Sequence, residues 1–101
     1  MGERPPPEVE VAVHTFGMLR MRTGQARIGA RVEAGTTLEG LLRHLAEEYD
    51  EGFLDVVGRQ PGQPDVSLVI LNGRTLRLPR DLQIELQMGD ELYLIPPIAG
   101  G

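Results

Sequence analysis

The spacing of apolar residues changes within the first half of the chain, and this change most constrains the fold. From Val9 onward, apolar residues alternate with polar or small ones, a period of two that predicts a half-buried strand extending as far as Leu19. Residues 26–32 alternate in the same way and predict a second strand. The glycine-containing turn at residues 22–25 between them indicates a β-hairpin.

The period then lengthens to that of a helix. Thr36 and Glu39 have the spacing of a capping box, with the threonine at the N-cap position. The apolar residues that follow share one helical face, and they are Leu38, Leu41, Leu42, Leu45 and Tyr49. A helix is therefore predicted over residues 37–49. We expect His44 to lie on its solvated face and His14 to point outward from the first strand.

The second half of the chain predicts shorter elements. Residues 53–57 indicate one helical turn that tucks apolar groups under the sheet, and residues 58–64 have the composition of a loop. Residues 66–71 are nearly all apolar, which indicates a central strand covered on both faces. The Asn72-Gly73 pair is typical of a type I′ turn, with a short return strand at residues 75–78.

The last predicted strand covers residues 91–95. A glycine turn at residues 88–90 leads into it, and Pro96 and Pro97 end it because neither can donate an N–H group to a ladder. The order strand, strand, helix, strand, short strand, strand predicts an α+β fold. We expect a mixed sheet of about five strands with one main helix packed across one face.

The length and composition narrow the organisation and the classes of function. A chain of 101 residues has room for one domain, which we place at residues 9–97, between a flexible lead (1–8) and an extended tail (98–101). The net charge of −5 argues against nucleic-acid binding, which needs a basic surface. Cysteine is absent and the two histidines lack metal-site spacing, so no metal is expected.

No targeting or membrane segment is expected. No apolar run approaches the roughly 20 residues that cross a bilayer, and the N-terminus lacks the apolar segment of a signal peptide. The expected location is therefore the cytoplasm, with no membrane partner. All ten basic residues are arginine, so only the N-terminal amine of this chain could be acylated.

The tail, Ile98-Ala99-Gly100-Gly101, allows three interpretations. It is a terminus without a role, a recognition tail that a partner binds through its backbone, or the carrier of a reactive terminal carboxylate. Four extended residues reach roughly 13 Å, and the two glycines keep the end thin enough for a narrow tunnel. A carboxylate reacts only after activation, normally adenylation with ATP. The chain has no P-loop, so a separate enzyme would use the ATP.

The chain resembles the sulfur carriers of the MoaD/ThiS family, which have the β-grasp fold of ubiquitin. The matching segments are residues 16–20, 35–38, 41–49, 71–74, 89–91 and 95–101. Two prolines before the tail are more typical of molybdopterin synthase small subunits than of thiazole-pathway carriers. The resemblance implies that an ATP-dependent activating enzyme adenylates Gly101, and that a persulfide sulfur then displaces AMP to leave a thiocarboxylate. No cofactor is expected on the carrier itself, which is not an enzyme alone.

The resemblance also implies which residues meet the partners. Gly101, supported by Gly100, is the reactive end, while Ile98 and Ala99 extend the tail and seat it in an acceptor. The acceptor is the molybdopterin synthase large subunit or another sulfur-accepting enzyme. Pro96 and Pro97 direct the exit of the tail, because each fixes its own φ.

Alternation along the last strand predicts which of its side chains meet a partner. Leu92 and Leu94 should face the helix, and Tyr93 and Ile95 the open face of the sheet. There these two side chains form a docking patch or pack beneath the long segment of residues 50–65, which has no assigned role. The acidic surplus favours a partner with a basic face.

Three other functions stay open at this point. A ubiquitin-like protein modifier would need the same adenylate at Gly101, and a carrier for cysteine, thiamine or tRNA thiolation would need the same thiocarboxylate. A β-grasp binding module with an inert tail would need neither.

Overall fold

A computed structural model describes residues 6–56 and 68–96 of the chain. The strands are β1 (Glu8–Thr15), β2 (Arg27–Glu33), β3 (Leu68–Leu71), β4 (Arg74–Thr75) and β5 (Glu91–Ile95), and the helices are α1 (Gly17–Thr23) and α2 (Leu38–Glu48). The five strands form one sheet in the order β2-β1-β5-β3-β4. Only β1 and β5 are parallel, and the other neighbours are antiparallel. The predicted mixed sheet is confirmed.

The connection between the first two strands differs from the prediction. β1 ends at Thr15, and α1 follows where a longer strand and a tight turn were expected. Methionine, leucine and arginine favour helix at these positions, and Leu19 is fully buried in the core. Gly24 ends the helix with a left-handed φ of 73°, and its N–H donates to the carbonyl of Arg20.

The main helix is confirmed, but its cap lies one residue later than predicted. The Thr37 hydroxyl accepts the N–H of Gly40 at 3.2 Å, so Thr37 is the N-cap residue. The hydroxyl of Thr36 instead donates to the carbonyl three residues earlier, at 2.7 Å. Glu39 pairs with an arginine one turn further on, at 3.0 Å, and no capping box forms.

The predicted central strand lies near one edge of the sheet. β3 is flanked by β5 and by the two-residue strand β4, so β5 takes the central place. Leu68 is 39% exposed and Ile70 is half-buried, whereas Val69 and Leu71 are buried, so the two faces of β3 are not covered equally. A run of apolar residues has the same sequence pattern whether its second face is buried or exposed, so the pattern could not distinguish a central strand from one near the edge. The first two residues of the predicted strand lie outside the described residues.

Both turns predicted from Asn-Gly and Met-Gly-Asp are present. Asn72 and Gly73 have φ values of 50° and 82°, as a type I′ turn requires. The return strand is shorter and earlier than predicted, since β4 covers two residues. Gly89, with φ of 83°, turns the chain toward β5.

The core lies between α2 and the inner face of the sheet. Its fully buried side chains include Val11, Val13, Ile28, Leu38, Leu41, Leu42, Leu45, Leu92 and Leu94. A short 3₁₀ helix at Glu51–Asp55 follows α2 and buries Phe53 completely, so the predicted helical turn is present but begins two residues earlier than expected. The predicted loop at residues 58–64 lies outside the described residues. No helix in the described ranges is long and apolar enough to span a membrane.

A side-chain network fixes the start of β5. The Asn72 amide donates to Asp90 Oδ1 and its oxygen accepts the N–H of Glu91, both at 2.8 Å. The other carboxylate oxygen of Asp90 accepts the N–H of Gln87 at 2.7 Å. These bonds tie the β3–β4 turn to the first residue of β5, so the central strand enters the sheet at a defined register.

Candidate functional site

The predicted tail leaves the domain from the central strand. β5 is hydrogen-bonded to β1 on one side and β3 on the other, and it ends at Ile95, followed by the half-buried Pro96. The exit point is thus held by strands on both sides. The other predicted tail residues, Pro97, Ile98, Ala99, Gly100 and Gly101, lie outside the described residues.

One wall of the exit is the junction between β1 and α1. A Cβ placed on Gly17 would lie 3.2 Å from Pro96 Cγ, and Gly17 has a left-handed φ of 59°. Only glycine meets both demands without strain. Phe16 and Met18 beside it are 37% and 48% exposed, so apolar groups surround the exit.

Sequence reasoning did not assign a role to Gly17. A glycine inside the predicted first strand was the available signal, because such a position often marks a bend or a close approach of another part of the chain. The contact with Pro96 had no local signal, since the two residues are distant in the chain and meet only through the parallel pairing of β1 with β5.

Alternation along β5 separates core from open face as predicted. Leu92 and Leu94 are fully buried, whereas Tyr93 and Ile95 are half-buried on the other side. Cross-strand pairing puts Ile70 opposite Tyr93 and Leu68 opposite Ile95. We call these four side chains the apolar patch; it lies on the open face of the sheet and borders the exit.

The alternative packing of this patch beneath the segment after α2 is not decided by these contacts. Residues 57–65 of that segment lie outside the described residues. The docking role of Tyr93 and Ile95 therefore stays a prediction.

The imidazole of His14 extends the patch onto β1. His14 pairs with Tyr93 in the sheet, and their rings stack with centroids 4.2 Å apart and planes 6° from parallel. His14 Nε2 lies 2.8 Å from Glu91 Oε1. The predicted outward direction of His14 is confirmed, but its side chain is only 19% exposed because the tyrosine covers it. His44 is exposed on α2, as predicted.

The described residues at this end of the molecule are mainly apolar. Among the described residues, no three His, Cys, Asp or Glu side chains are grouped to hold a metal ion. The exit instead offers a flat apolar patch and a strand that continues into the tail. Such an arrangement can hold a partner and present residues 97–101 to it.

The chain is similar in sequence to known small proteins. The model of the ThiS family matches residues 13–101. The small archaeal modifier protein 3 of Haloferax volcanii is 31% identical over 93 residues, which cover 92% of this chain and 100% of that protein.

Solved structures show the same likeness. The solution structure of the Haloferax volcanii HVO 2177 protein has a TM-score of 0.73 at 27% identity, covering 100% of this chain and 94% of that one. A Pyrococcus furiosus protein named as subunit 1 of a molybdopterin converting factor has a TM-score of 0.69 at 25% identity, covering 89% and 99%. These likenesses confirm the ubiquitin-like β-grasp class expected from the sequence.

Proposed function

Because this chain belongs to the ThiS family of small ubiquitin-like sulfur carriers, we propose that it carries sulfur as a thiocarboxylate on Gly101. In this proposal it donates that sulfur in molybdopterin biosynthesis, as the small subunit of molybdopterin synthase. The carrier acts in the cytoplasm with enzymes that make and use its reactive group. ATP is bound and consumed by the activating partner.

The observation that carries the proposal is the position of β5 relative to the tail. The central strand ends at Pro96 beside an apolar patch, and the family match continues through Gly101. Five extended residues beyond Pro96 reach roughly 17 Å. A partner that covers the patch could therefore receive Gly101 in an enclosed active site.

The proposed chemistry takes place on the terminal carbonyl carbon. A carboxylate oxygen of Gly101 attacks the α-phosphorus of ATP, and pyrophosphate leaves. The terminal sulfur of an enzyme persulfide then attacks the acyl carbon, AMP leaves, and an acyl disulfide forms. A thiol cleaves its S–S bond, which releases the thiocarboxylate and leaves a disulfide on the enzyme side. The sulfur needs no cysteine of the carrier, which has none.

The proposed partner contacts divide between the patch and the tail. Tyr93 and Ile95 dock against the partner through the apolar patch, and Pro96 with Pro97 directs the chain away from the sheet. Ile98 and Ala99 seat the tail in the partner's groove. Gly100 and Gly101 pass through the narrowest part because they have no side chains.

Two observations support molybdopterin synthase as the destination. The Pro96-Pro97 pair resembles the small subunits of that enzyme, and one structural neighbour is named as a subunit of a molybdopterin converting factor. The large subunit of molybdopterin synthase is then the acceptor. Carriers for cysteine, thiamine or tRNA thiolation share the same first steps, so the acceptor decides between them.

A second candidate function is protein modification. It is favoured by the relative named as a small archaeal modifier protein. A modifier would use the same adenylate but transfer the Gly101 acyl group to a target lysine. Because the chain has no lysine, such conjugates would not grow into side-chain-linked polymers of this protein.

Intact mass spectrometry tests the carrier proposal. The protein is incubated with the cognate activating enzyme, Mg-ATP and a persulfide donor, and the expected product has sulfur in place of one oxygen, located at Gly101. Deletion of Gly101, or addition of one residue after it, should abolish the product. An unchanged mass and no adenylate would refute the carrier role.

The acceptor is tested separately. Capture with the thiocarboxylated protein should retain a molybdopterin synthase large subunit, and the complex should convert a cyclic pterin precursor. Capture of a cysteine-synthase-like enzyme instead would redirect the pathway. Conjugates that survive a denaturing gel would support the modifier.

A further inference from the structure

Two arginines lie on the open face at opposite edges of the sheet. Arg27 on β2 pairs with His14, which in turn pairs with Tyr93. Neighbouring strands are about 4.8 Å apart, so the Arg27 backbone lies about 10 Å from Tyr93 across β1. Arg27 is exposed and therefore borders the apolar patch on the β2 side.

Arg77 borders the patch on the other side. The N–H of Leu76 donates to the carbonyl of Val69 at 2.8 Å, which continues the β3–β4 register by one residue and sets Arg77 across from Leu68. Leu76 is buried, so its exposed neighbour Arg77 lies on the open face. It is also about 10 Å from β5, measured across β3.

Neither guanidinium forms an ion pair within the described ranges. Four other arginines do, since Arg22 pairs with Asp50 at 3.8 Å, Arg31 with Glu10 at 3.3 Å, Arg43 with Glu39 at 3.0 Å and Arg80 with Asp81 at 3.2 Å. The two arginines beside the patch thus keep their hydrogen-bonding capacity for another molecule. A guanidinium matches a carboxylate with two parallel bonds.

Hydrogen bonds to Asp81 fix the backbone of Arg77. Its side chain forms no ion pair within the part of the chain that the structure describes. Its N–H donates to Asp81 Oδ2 at 2.6 Å, and its carbonyl accepts the N–H of Asp81 at 2.7 Å. These two bonds hold both the N–H and the carbonyl of Arg77 against Asp81, and so fix the turn after β4. The guanidinium is therefore presented from a fixed base, which lowers the entropy lost when it binds.

The edges of the patch carry positive charge although the whole molecule is acidic, and Glu91, the carboxylate on the same face of β5, lies 2.8 Å from His14 Nε2. The net charge of −5 favoured a partner with a basic face. Much of the described acidic surplus, however, lies around α2 and the 3₁₀ helix after it, at Glu39, Glu47, Glu48, Asp50, Glu51 and Asp55. Those elements cover the inner face of the sheet, so they do not border the patch.

We propose that Arg27 and Arg77 bind carboxylates of the activating enzyme on either side of an apolar surface that covers the patch. This inference rests on the proposed function. The activating enzyme is the first partner that must cover the exit, because it receives the tail before any sulfur is attached. The backbones of Arg27 and Arg77 lie about 20 Å apart, with the apolar patch between them. Two positive charges at this separation would set the orientation of the docked carrier.

Charge reversal tests the inference. Arg27→Glu and Arg77→Glu should each lower kcat/KM for Gly101 adenylation about tenfold at low salt, and the loss should shrink as salt screens the repulsion. Arg43→Glu on α2 is the matched control, since it makes the same change in net charge on the opposite face. It should stay within about twofold of wild type. Arg27→Gln and Arg77→Gln, which remove charge without repulsion, should show smaller losses in the same order.

The outcomes separate this inference from the function itself. Failure of the wild-type protein to form an adenylate would refute the proposed function. Normal wild-type turnover with Arg27 and Arg77 variants no worse than Arg43→Glu would overturn only the arginine contacts. Faster turnover of the charge-reversed variants would indicate a basic partner face. If added RNA inhibited the wild-type protein but not the charge-reversed variants, the arginines would be assigned to nucleic-acid binding. Either of these two results would overturn the contacts with carboxylates.

Discussion

Gly17 packs against Pro96 at the point where the tail leaves the domain, so close that a methyl group on Gly17 would lie 3.2 Å from the proline Cγ. The junction between β1 and α1 therefore contacts the chain at the residue that follows β5. Gly17→Ala should displace Pro96 and lower kcat/KM for adenylation several-fold. It should also destabilise the fold by about 1–2 kcal/mol because of the positive φ.

Gly24→Ala is the control that separates strain from contact. Gly24 ends the same helix with a φ of 73°, but no atom beyond its chain neighbours lies within 4 Å of a Cβ placed there. Its variant should lose about 1 kcal/mol of stability and keep normal adenylation. Equal kinetic losses in both variants would show that the contact with Pro96 has no effect on the tail.

Neighbouring residues of β5 should respond in opposite ways to truncation. Leu94 is fully buried, so Leu94→Ala should cost about 2–5 kcal/mol of unfolding free energy. Tyr93 lies half-buried against His14, so Tyr93→Ala should cost less than about 1.5 kcal/mol but lower kcat/KM about tenfold.

Urea denaturation and adenylation kinetics measure the two effects. Met88→Ala, at a 66% exposed side chain before the start of β5, should change neither appreciably. Unaltered kinetics in Tyr93→Ala would remove the apolar patch from the docking surface.

The side-chain hydrogen bonds of Asn72 should contribute more to the stability of the fold than the positive φ of this turn residue does. Asn72→Gly retains the positive φ but deletes the bonds to Asp90 and to the N–H of Glu91, and it should cost about 1–3 kcal/mol. Asn72→Asp should also destabilise, because it brings a second carboxylate against Asp90. Arg74→Ala, an exposed change just after the turn, should stay within about 0.5 kcal/mol of wild type. Denaturation midpoints compare the three variants.

Asp81 should contribute to stability only above acidic pH. The N–H of Arg77 and then the side chain of Arg80 hydrogen-bond the carboxylate and hold the pKa of Asp81 below its ordinary value of 3.8. The folded state therefore binds fewer protons there than the unfolded state. The stabilisation is complete above the ordinary pKa and is lost as pH falls through the lowered one.

Asp81→Asn removes this dependence. The variant should be less stable than wild type at about pH 6, and the difference should close as the pH falls through the lowered pKa of Asp81. Urea midpoints at several pH values measure it. A constant difference across that range would contradict the role of the ionised carboxylate.

Local patterns account for the elements that the sequence predicted well. α2 has four buried leucines at helical spacing, and β2 alternates buried and exposed residues along its whole length. Both patterns span enough residues to be distinctive. α1 was missed because it has only seven residues and one of them is buried, so its apolar residues show no repeating spacing. The cap was displaced by one residue because either of two adjacent threonines could accept the first free N–H.

The site was predicted in composition but not in arrangement. Alternation identified Tyr93 and Ile95 as open-face residues, since it depends only on the pleat of one strand. Leu68 and Ile70 were assigned to a strand covered on both faces, because an apolar side chain has the same hydrophobicity in a core and on an exposed face. Gly17, His14 and Arg77 joined the site only through pairings between distant strands.

The sequence by itself determined the family, the main helix α2, the alternating strand β2 and the face of β5 that each side chain occupies, because these depend on motifs and on short-range periodicity. Only the tertiary structure decided that β5 is central, that Gly17 meets Pro96, and that Arg27 and Arg77 flank the apolar patch. Strand order brings these residues together, and it is set by how α2 covers one face of the sheet and leaves the other open.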